Sequence, residues 1–216
     1  MKKSFKFSKS TLFISSIILF TFLLHLPSFT QESNISFESS AALKRTTVRL
    51  FSSTSVSNKQ LDSLLKAAFS SPTGGNQRAW EFIIVTEREK ILAMKEGNPY
   101  SSALDTAPLV IVIVVDNNIA RYKELLEFDT GIATQSILIQ AAELGLSTIP
   151  MSIAPQKERI ISVSKALELP ENIIPHIMIG IGYPATDGDS SASVIYNNNN
   201  KIHYNKYWFK YTLYIN

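Results

Sequence analysis

The chain has 216 residues, of which 45% are hydrophobic and 18% charged, a balance that suits one globular domain able to bury a sizeable core. The formal net charge of +3 arises before the first acidic residue, Glu32, from Lys2, Lys3, Lys6 and Lys9; the body is near neutral and carries no basic stripe, so no nucleic-acid partner is expected. The absence of cysteine excludes disulfides, thiolate metal sites, Cys nucleophiles and a lipoprotein anchor, and His25, His176 and His203 have no ligand spacing, so no metal site is expected.

Met1 to Lys9 is a basic start, Leu12 to Leu26 is an apolar stretch, and Pro27 breaks it ahead of Ser28-Phe29-Thr30. That is the layout of a signal peptide. A spanning helix needs roughly 20 apolar residues, so residues 1–30 read as a cleaved signal first and a membrane anchor second. The expected location is exported, periplasmic or secreted, or else anchored through this segment. The Ser- and Asn-rich stretch 31–42 reads as a linker, and 43–216 as one domain.

Within the body, Ser57 and Gln60 form a capping-box pattern, and Leu61, Leu64, Leu65, Ala68 and Phe69 recur at helical spacing until Pro72. Trp80 to Val85 reads as a strand and Glu87 to Lys95 as a helix. Leu109 to Val115 is apolar without alternation, which fits a central strand covered on both faces. Asn118 to Glu127 is weakly helical. Thr130 to Leu144 is a helix apolar almost all round, with Gly145 placed to cap it. Ser147 to Ile153 is a strand, Pro155 opens a helix running to about Leu167, and Ile173 to Tyr183 is a further strand. Thr186 to Lys201, with its run of asparagines, reads as a loop, and the aromatic tail from Ile202 as an edge strand. A tail so apolar must cover something, either its own core or a partner subunit. The alternation of helices and strands predicts an α/β layered domain with helices on both faces of a small sheet.

No nucleophile elbow, P-loop or zinc helix motif is present, and Gly180-Ile181-Gly182 ends a strand without opening a helix, so it is no dinucleotide fingerprint. Missing acid–base machinery leaves two readings: a cofactor does the chemistry, or there is none. No catalytic side chain is assigned.

Two segments stand out. Arg45-Thr46-Thr47-Val48-Arg49-Leu50-Phe51 places two arginines on one side of a helical turn with a hydroxyl between them, and Val48 and Phe51 toward the core. Such a pair can clamp a phosphate by charge-assisted hydrogen bonds, or it is a solvated basic turn, which spacing alone favours. Ser71-Pro72-Thr73-Gly74-Gly75-Asn76-Gln77-Arg78-Ala79-Trp80 offers glycines for close backbone approach and amides for a heteroaromatic edge. The plain alternative, again favoured by spacing alone, is a helix-to-strand turn with Trp80 in the core.

Together these segments resemble the nitroreductase family, whose members begin with an Arg/Ser/Arg phosphate-binding stretch, continue with a helix, and then show a Pro-Ser-x-x-Asn-x-Gln-Pro-Trp loop before a strand. The loop here is PTGGNQRAW, followed by EFIIVTERE. Asn98-Pro99-Tyr100, Ala107-Pro108-Leu109, Ala133 to Leu146, Leu169 to Ala185 and Lys201 to Tyr207 extend the resemblance in order along the body. Thr46 stands where arginine is frequent, Thr73 where serine is usual, Arg78-Ala79 where Gln-Pro is common, and Ser136 where asparagine is frequent.

The resemblance implies a nitroreductase-like α/β (α+β) fold: a small central, mainly antiparallel or mixed sheet flanked by helices, with a C-terminal edge strand given to the partner of a homodimer. It implies FMN at the subunit interface. Arg45, Thr46, Thr47 and Arg49 stand in its phosphate-binding stretch, and Lys201 where a basic residue also reaches the phosphate. Pro72, Thr73 and Asn76 would come from the neighbouring chain to lie against the flavin, and Ser152 falls where the backbone passes the ring. It further implies NAD(P)H as electron donor and a ping-pong transfer to a nitroaromatic, quinone or similar small-molecule acceptor. The same fold also hosts dehydrogenases and reductive dehalogenases. A flavin-binding protein without turnover is the reading outside enzymology.

Overall fold

In a computed structural model, residues 40–186, 191–192, 201–203 and 205–207 are described. All of them fall within the unit Ser36–Asn216. The expected leader 1–30, most of the expected linker 31–42, the asparagine run and the tail beyond Tyr207 lie outside the described residues. No helix among the described residues is long and apolar enough to cross a membrane.

The sheet is mixed, with strand order β2-β3-β5-β4-β1-β6. These are β1 Thr46–Thr47, β2 Trp80–Val85, β3 Leu109–Asp116, β4 Ser147–Ser152, β5 Ile173–Gly182 and β6 Ser191–Ala192. β2, β3, β5 and β4 pair antiparallel in that sequence, β1 runs parallel to β4, and β6 returns antiparallel to β1. The helices are α1 Ala41–Lys44, α2 Asn58–Phe69, α3 Arg88–Ala93, α4 Leu126–Glu143 and α5 Lys157–Ala166.

β3 shows why the absence of alternation meant burial. Val110, Val112 and Val114 enter one core cluster, with Ile91 and Met94 from the α3 segment and Val163 of α5. Leu109, Ile111 and Ile113 enter the other, with Leu64 and Ala68 of α2 and Ala133, Ile137 and Ala141 of α4. Successive side chains of a strand leave opposite faces, so both faces must be apolar when both are covered. The result is a helix–sheet–helix layering.

The expected capping box is formed: Gln60 N–H donates to Ser57 Oγ at 3.3 Å, and Ser57 N–H donates to Gln60 Oε1 at 3.0 Å. Gly145 adopts φ +70° just past α4, as a left-handed helix stop requires. The Gly-Ile-Gly pair at the end of β5 is a packing feature. A Cβ on Gly182 would lie 2.8 Å from Pro108 Cγ, so a side chain there would collide with its neighbours.

Three local expectations are corrected. The Arg45–Arg49 stretch is no helical turn; Thr46–Thr47 form β1, because β4 offers an open edge whose backbone the segment joins in register Thr47↔Thr148. The helix after Pro155 starts later, at Lys157 with Gln156 as its N-cap. Within the expected loop 186–201, Ser191–Ala192 pair with β1.

Candidate functional site

A cavity of about 510 Å³ opens between β1, the end of β4, the start of α5 and the loop leading to β3. That volume lies within the few-hundred to thousand Å³ range of small-molecule sites. Its walls include Thr47 and Arg49; Asn98, Tyr100 and Ser102; Ile149 to Ser152; and Arg159.

The alternation of side chains through β1 and the residues beside it decides what faces the cavity. With a side-chain period of two, Arg45, Thr47 and Arg49 share one side and Thr46 and Val48 the other. Arg45 Nη1 donates to Thr47 Oγ1 at 3.0 Å, tying the first two together. On the opposite side, Thr46 Oγ1 meets Ser147 Oγ at 2.9 Å, and Val48 is fully buried. The segment is held further along by Val48 N–H to Thr148 O (3.3 Å) and by Phe51 N–H to Thr106 Oγ1 (3.0 Å). Phe51 is buried, as its place in the sequence pattern implied. The arginines are thus presented by a backbone fixed to the sheet.

Across the cavity, Ser152 ends β4. Its carbonyl accepts from Arg159 Nη1 at 3.0 Å and from Asn98 Nδ2 at 3.4 Å, and its Oγ lies 2.9 Å from the same Arg159 nitrogen. Asn98 is buried, and its Oδ1 takes the Tyr100 N–H at 3.0 Å. Ile149, Pro150 and Met151 supply the apolar wall between the two polar ends. Among the described residues no carboxylate lines the cavity, and the two charged residues that do, Arg49 and Arg159, are both cationic. An anionic ligand with a flat apolar body matches such a donor set.

The second segment folds away from this cavity. Pro72, Thr73 and Asn76 are not among its lining residues. They sit in the turn between α2 and β2, where Gly75, Asn76 and Arg78 all adopt left-handed φ, +56°, +52° and +49°. Asp129, 1% exposed in the first turn of α4, holds the turn: its Oδ1 accepts from Gly74 N–H at 2.7 Å and its Oδ2 from Gln77 Nε2 at 2.7 Å. Gln77 Oε1 in turn accepts from Arg121 N–H (3.0 Å) and Tyr122 N–H (2.9 Å). Thr73 Oγ1 accepts from Arg78 N–H at 3.1 Å, and Asn76 Oδ1 from Arg78 Nε at 2.9 Å. Ser71 Oγ donates to Ser136 Oγ at 2.8 Å, so the serine at 136 is a partner of the same turn. Trp80 is buried, as the plain reading of this turn had it.

Of the nine residues singled out in the sequence, Thr47, Arg49 and Ser152 line one cavity, with Thr46 next to Thr47 in β1 and Arg45 just before that strand. Pro72, Thr73 and Asn76 lie elsewhere in this chain, and Lys201 is exposed and outside the cavity lining. Arg159 and the buried Asp129 were not singled out. Their signals are weak, one basic residue on a polar helix face and one acid at the start of a helix.

A family model described as "Nitroreductase family" matches residues 42–97 and 94–183. A protein of Archaeoglobus fulgidus with the provisional name NADH dehydrogenase/NAD(P)H nitroreductase is 30% identical over 76% of this chain and 94% of its own length. A crystal structure from Clostridium acetobutylicum, provisionally named an NADH oxidase, superposes with a TM-score of 0.72 at 31% identity, covering 77% of this chain and 99% of its own. An FMN-dependent nitroreductase of Clostridium difficile superposes with a TM-score of 0.68 at 28% identity, covering 77% and 98%.

Proposed function

The chain belongs to the nitroreductase family, and from that premise we propose that it is an FMN-dependent oxidoreductase that moves electrons from NAD(P)H to a nitroaromatic, quinone or similar small acceptor. The observation that carries this reading is the cavity itself. A cationic, hydroxyl-bearing end on β1 and an apolar wall on β4 fit a phosphate joined to a flat heteroaromatic ring.

In this reading Arg45, Thr47 and Arg49 hold the FMN phosphate, with Lys201 a further cation from the C-terminal part. Thr46 contributes by fixing the strand to Ser147. Ile149 to Ser152, which line the cavity, would border the ring and shield it from water. When bound, FMN supplies the two-electron chemistry between reductant and acceptor, so the protein needs no nucleophile of its own. Its side chains bind, orient and desolvate.

Homodimerisation completes the proposal. Pro72, Thr73 and Asn76 do not line this chain's cavity, so they serve a flavin site only if a second copy delivers its turn there. Exposed Leu50, Phe69, Phe128 and Ile161 are apolar surface available for that contact. Export or anchoring through residues 1–30 is likewise proposed, and N-terminal sequencing of the protein recovered from a cell fraction tests it.

The deciding experiment is a visible spectrum of the purified protein. Flavin absorbance that bleaches on anaerobic addition of NADH or NADPH is expected, with parallel-line initial-rate plots for the two-stage transfer. A colourless protein that takes up no FMN refutes the proposal, and flavin that NAD(P)H leaves oxidised refutes turnover.

A further inference from the structure

Arg159 is, among the described residues, one of two charged groups in the cavity wall, and the flavin phosphate does not call on it. It is half-buried in the first turn of α5 and makes no salt bridge among the described residues. One nitrogen, Nη1, is anchored on both the carbonyl and the hydroxyl of Ser152. The guanidinium also lies over the Tyr100 ring, 5.6 Å from its centroid. Tyr100 is 76% exposed, and its backbone is pinned by buried Asn98. A tyrosine so exposed contributes little to the core, and the residue is part of the cavity wall.

A guanidinium has five N–H donors in a planar fork. Here one nitrogen and the ring face fix the group in place, and the remaining donors meet no protein acceptor among the described residues. An arginine immobilised in this way loses less entropy on binding an anion than a free surface arginine does. The end of the cavity assigned to the phosphate already has Thr47 and Arg49 in its wall and Arg45 tied to Thr47.

We propose that Arg159 and Tyr100 form an acceptor subsite that selects planar acceptors bearing a carboxylate over neutral ones. It rests on the flavin-enzyme reading and adds a substrate class to it. The guanidinium pairs with the carboxylate, and the tyrosine ring offers a stacking face for the attached aromatic.

The test uses the protein as purified, with its flavin content read separately from visible absorbance. Calorimetric titration compares benzoate with neutral benzyl alcohol, and kcat/KM compares 4-nitrobenzoate with 4-nitrobenzyl alcohol. Benzoate is expected to bind about tenfold more tightly than benzyl alcohol, the worth of one charge-assisted hydrogen-bonded pair. Arg159→Gln removes the preference, Arg159→Lys keeps part of it, and Tyr100→Leu weakens both ligands. Lys157→Gln, the same charge lost two positions away, leaves the preference intact. Equal binding of the two ligands by the wild-type protein overturns the subsite, as does an equal loss in Lys157→Gln, which would mean a diffuse field. Loss of flavin in Arg159→Gln with the preference unchanged also overturns it. A colourless wild-type protein refutes the flavin reading instead, while its benzoate preference still decides the subsite.

Discussion

The short strand β1, with Arg45 and Arg49 on either side of it, and the turn carrying Pro72, Thr73 and Asn76 hold their polar groups by opposite means. On the strand, backbone register with β4 does the positioning, and side chains of one parity are left to face the cavity. In the turn, side chains do the positioning. Asp129 binds its backbone at Gly74 and the Gln77 amide, Gln77 ties it to the backbone at Arg121 and Tyr122, and Thr73 and Asn76 bond to Arg78. A sheet edge therefore leaves functional groups available at low structural cost. An irregular turn consumes its polar groups to exist at all, because backbone without a ladder must find other partners.

The largest effect is expected where the turn depends on one residue. Asp129→Ala leaves the Gly74 N–H without its acceptor and strips Gln77 Nε2 of the shorter of its two, keeping only the Tyr122 carbonyl at 3.2 Å. Each such loss costs about 1–3 kcal/mol, so a drop of about 3 kcal/mol in unfolding free energy is expected by urea titration, with Asp129→Asn milder. Unchanged stability would mean that the turn is held by something other than this carboxylate. On the strand the corresponding change should spare the fold and strike the ligand. Arg49 is exposed, so Arg49→Ala is expected to leave the melting temperature near wild type. It should weaken FMN retention by about 1.5–3 kcal/mol, the worth of a hydrogen bond to a charged group, measured by fluorescence of released flavin. If Arg49→Ala unfolds the protein or holds FMN as tightly as wild type, the contrast between the regions is wrong on the strand side.

The same contrast explains how far the sequence could be read. Uninterrupted apolar residues in Leu109–Val115 identified a doubly covered strand, and Ser57 with Gln60 identified a helix start, since both patterns are local consequences of burial and capping. The residues of the proposed clamp were singled out, but as a helical turn, where Thr46–Thr47 form a strand. Spacings of two and four fit a strand face as well as a helix face, and the choice was made by β4, a partner a hundred residues distant in the chain. In the turn, Pro, Gly and Asn signalled irregular backbone but not its anchor, for Asp129 is one acid among 18 acidic residues until the fold buries it. Arg159 was equally silent. Its assignment depends on α5 meeting Ser152 and Tyr100, which no local pattern encodes.

A smaller effect separates backbone from side-chain control within the turn. Gly75 has φ +56°, and a Cβ there would lie 2.3 Å from the edge of the Tyr122 ring. Gly75→Ala combines left-handed strain with a displaced side chain, and a loss of about 1–2 kcal/mol is expected from thermal melts. Tyr122 is partly exposed and able to yield. The double variant Gly75→Ala, Tyr122→Ala should therefore recover the steric part and keep the conformational part. Full recovery would assign the whole effect to the ring, and no recovery would assign it to the backbone.

The smallest effect lies on the strand side and depends on pH. His176, on β5 beside β4, accepts through its carbonyl from Ile153 N–H at 2.8 Å, just beyond Ser152. Burial holds its imidazole below the ordinary histidine value, against a weaker opposing pull from Glu127. The sign follows from linkage. The unfolded chain takes up a proton as pH falls through about 6.5, while the folded chain resists protonation until a lower pH. Stability is therefore expected to decline as pH falls below that value, and to level off once the folded-state imidazole is also charged. Asp116 shifts in the same overall sense, being held low by hydrogen bonds from Asn172 and the Asn118 N–H, but its contribution is lost only in the carboxylate range. His176→Gln should thus flatten the urea midpoint between neutral pH and the upper edge of the carboxylate range, leaving the steeper acid limb in place. If the mid-range slope survives the substitution, another group titrates there. The strand end that carries Ser152 would then owe its pH dependence to something other than the histidine behind it.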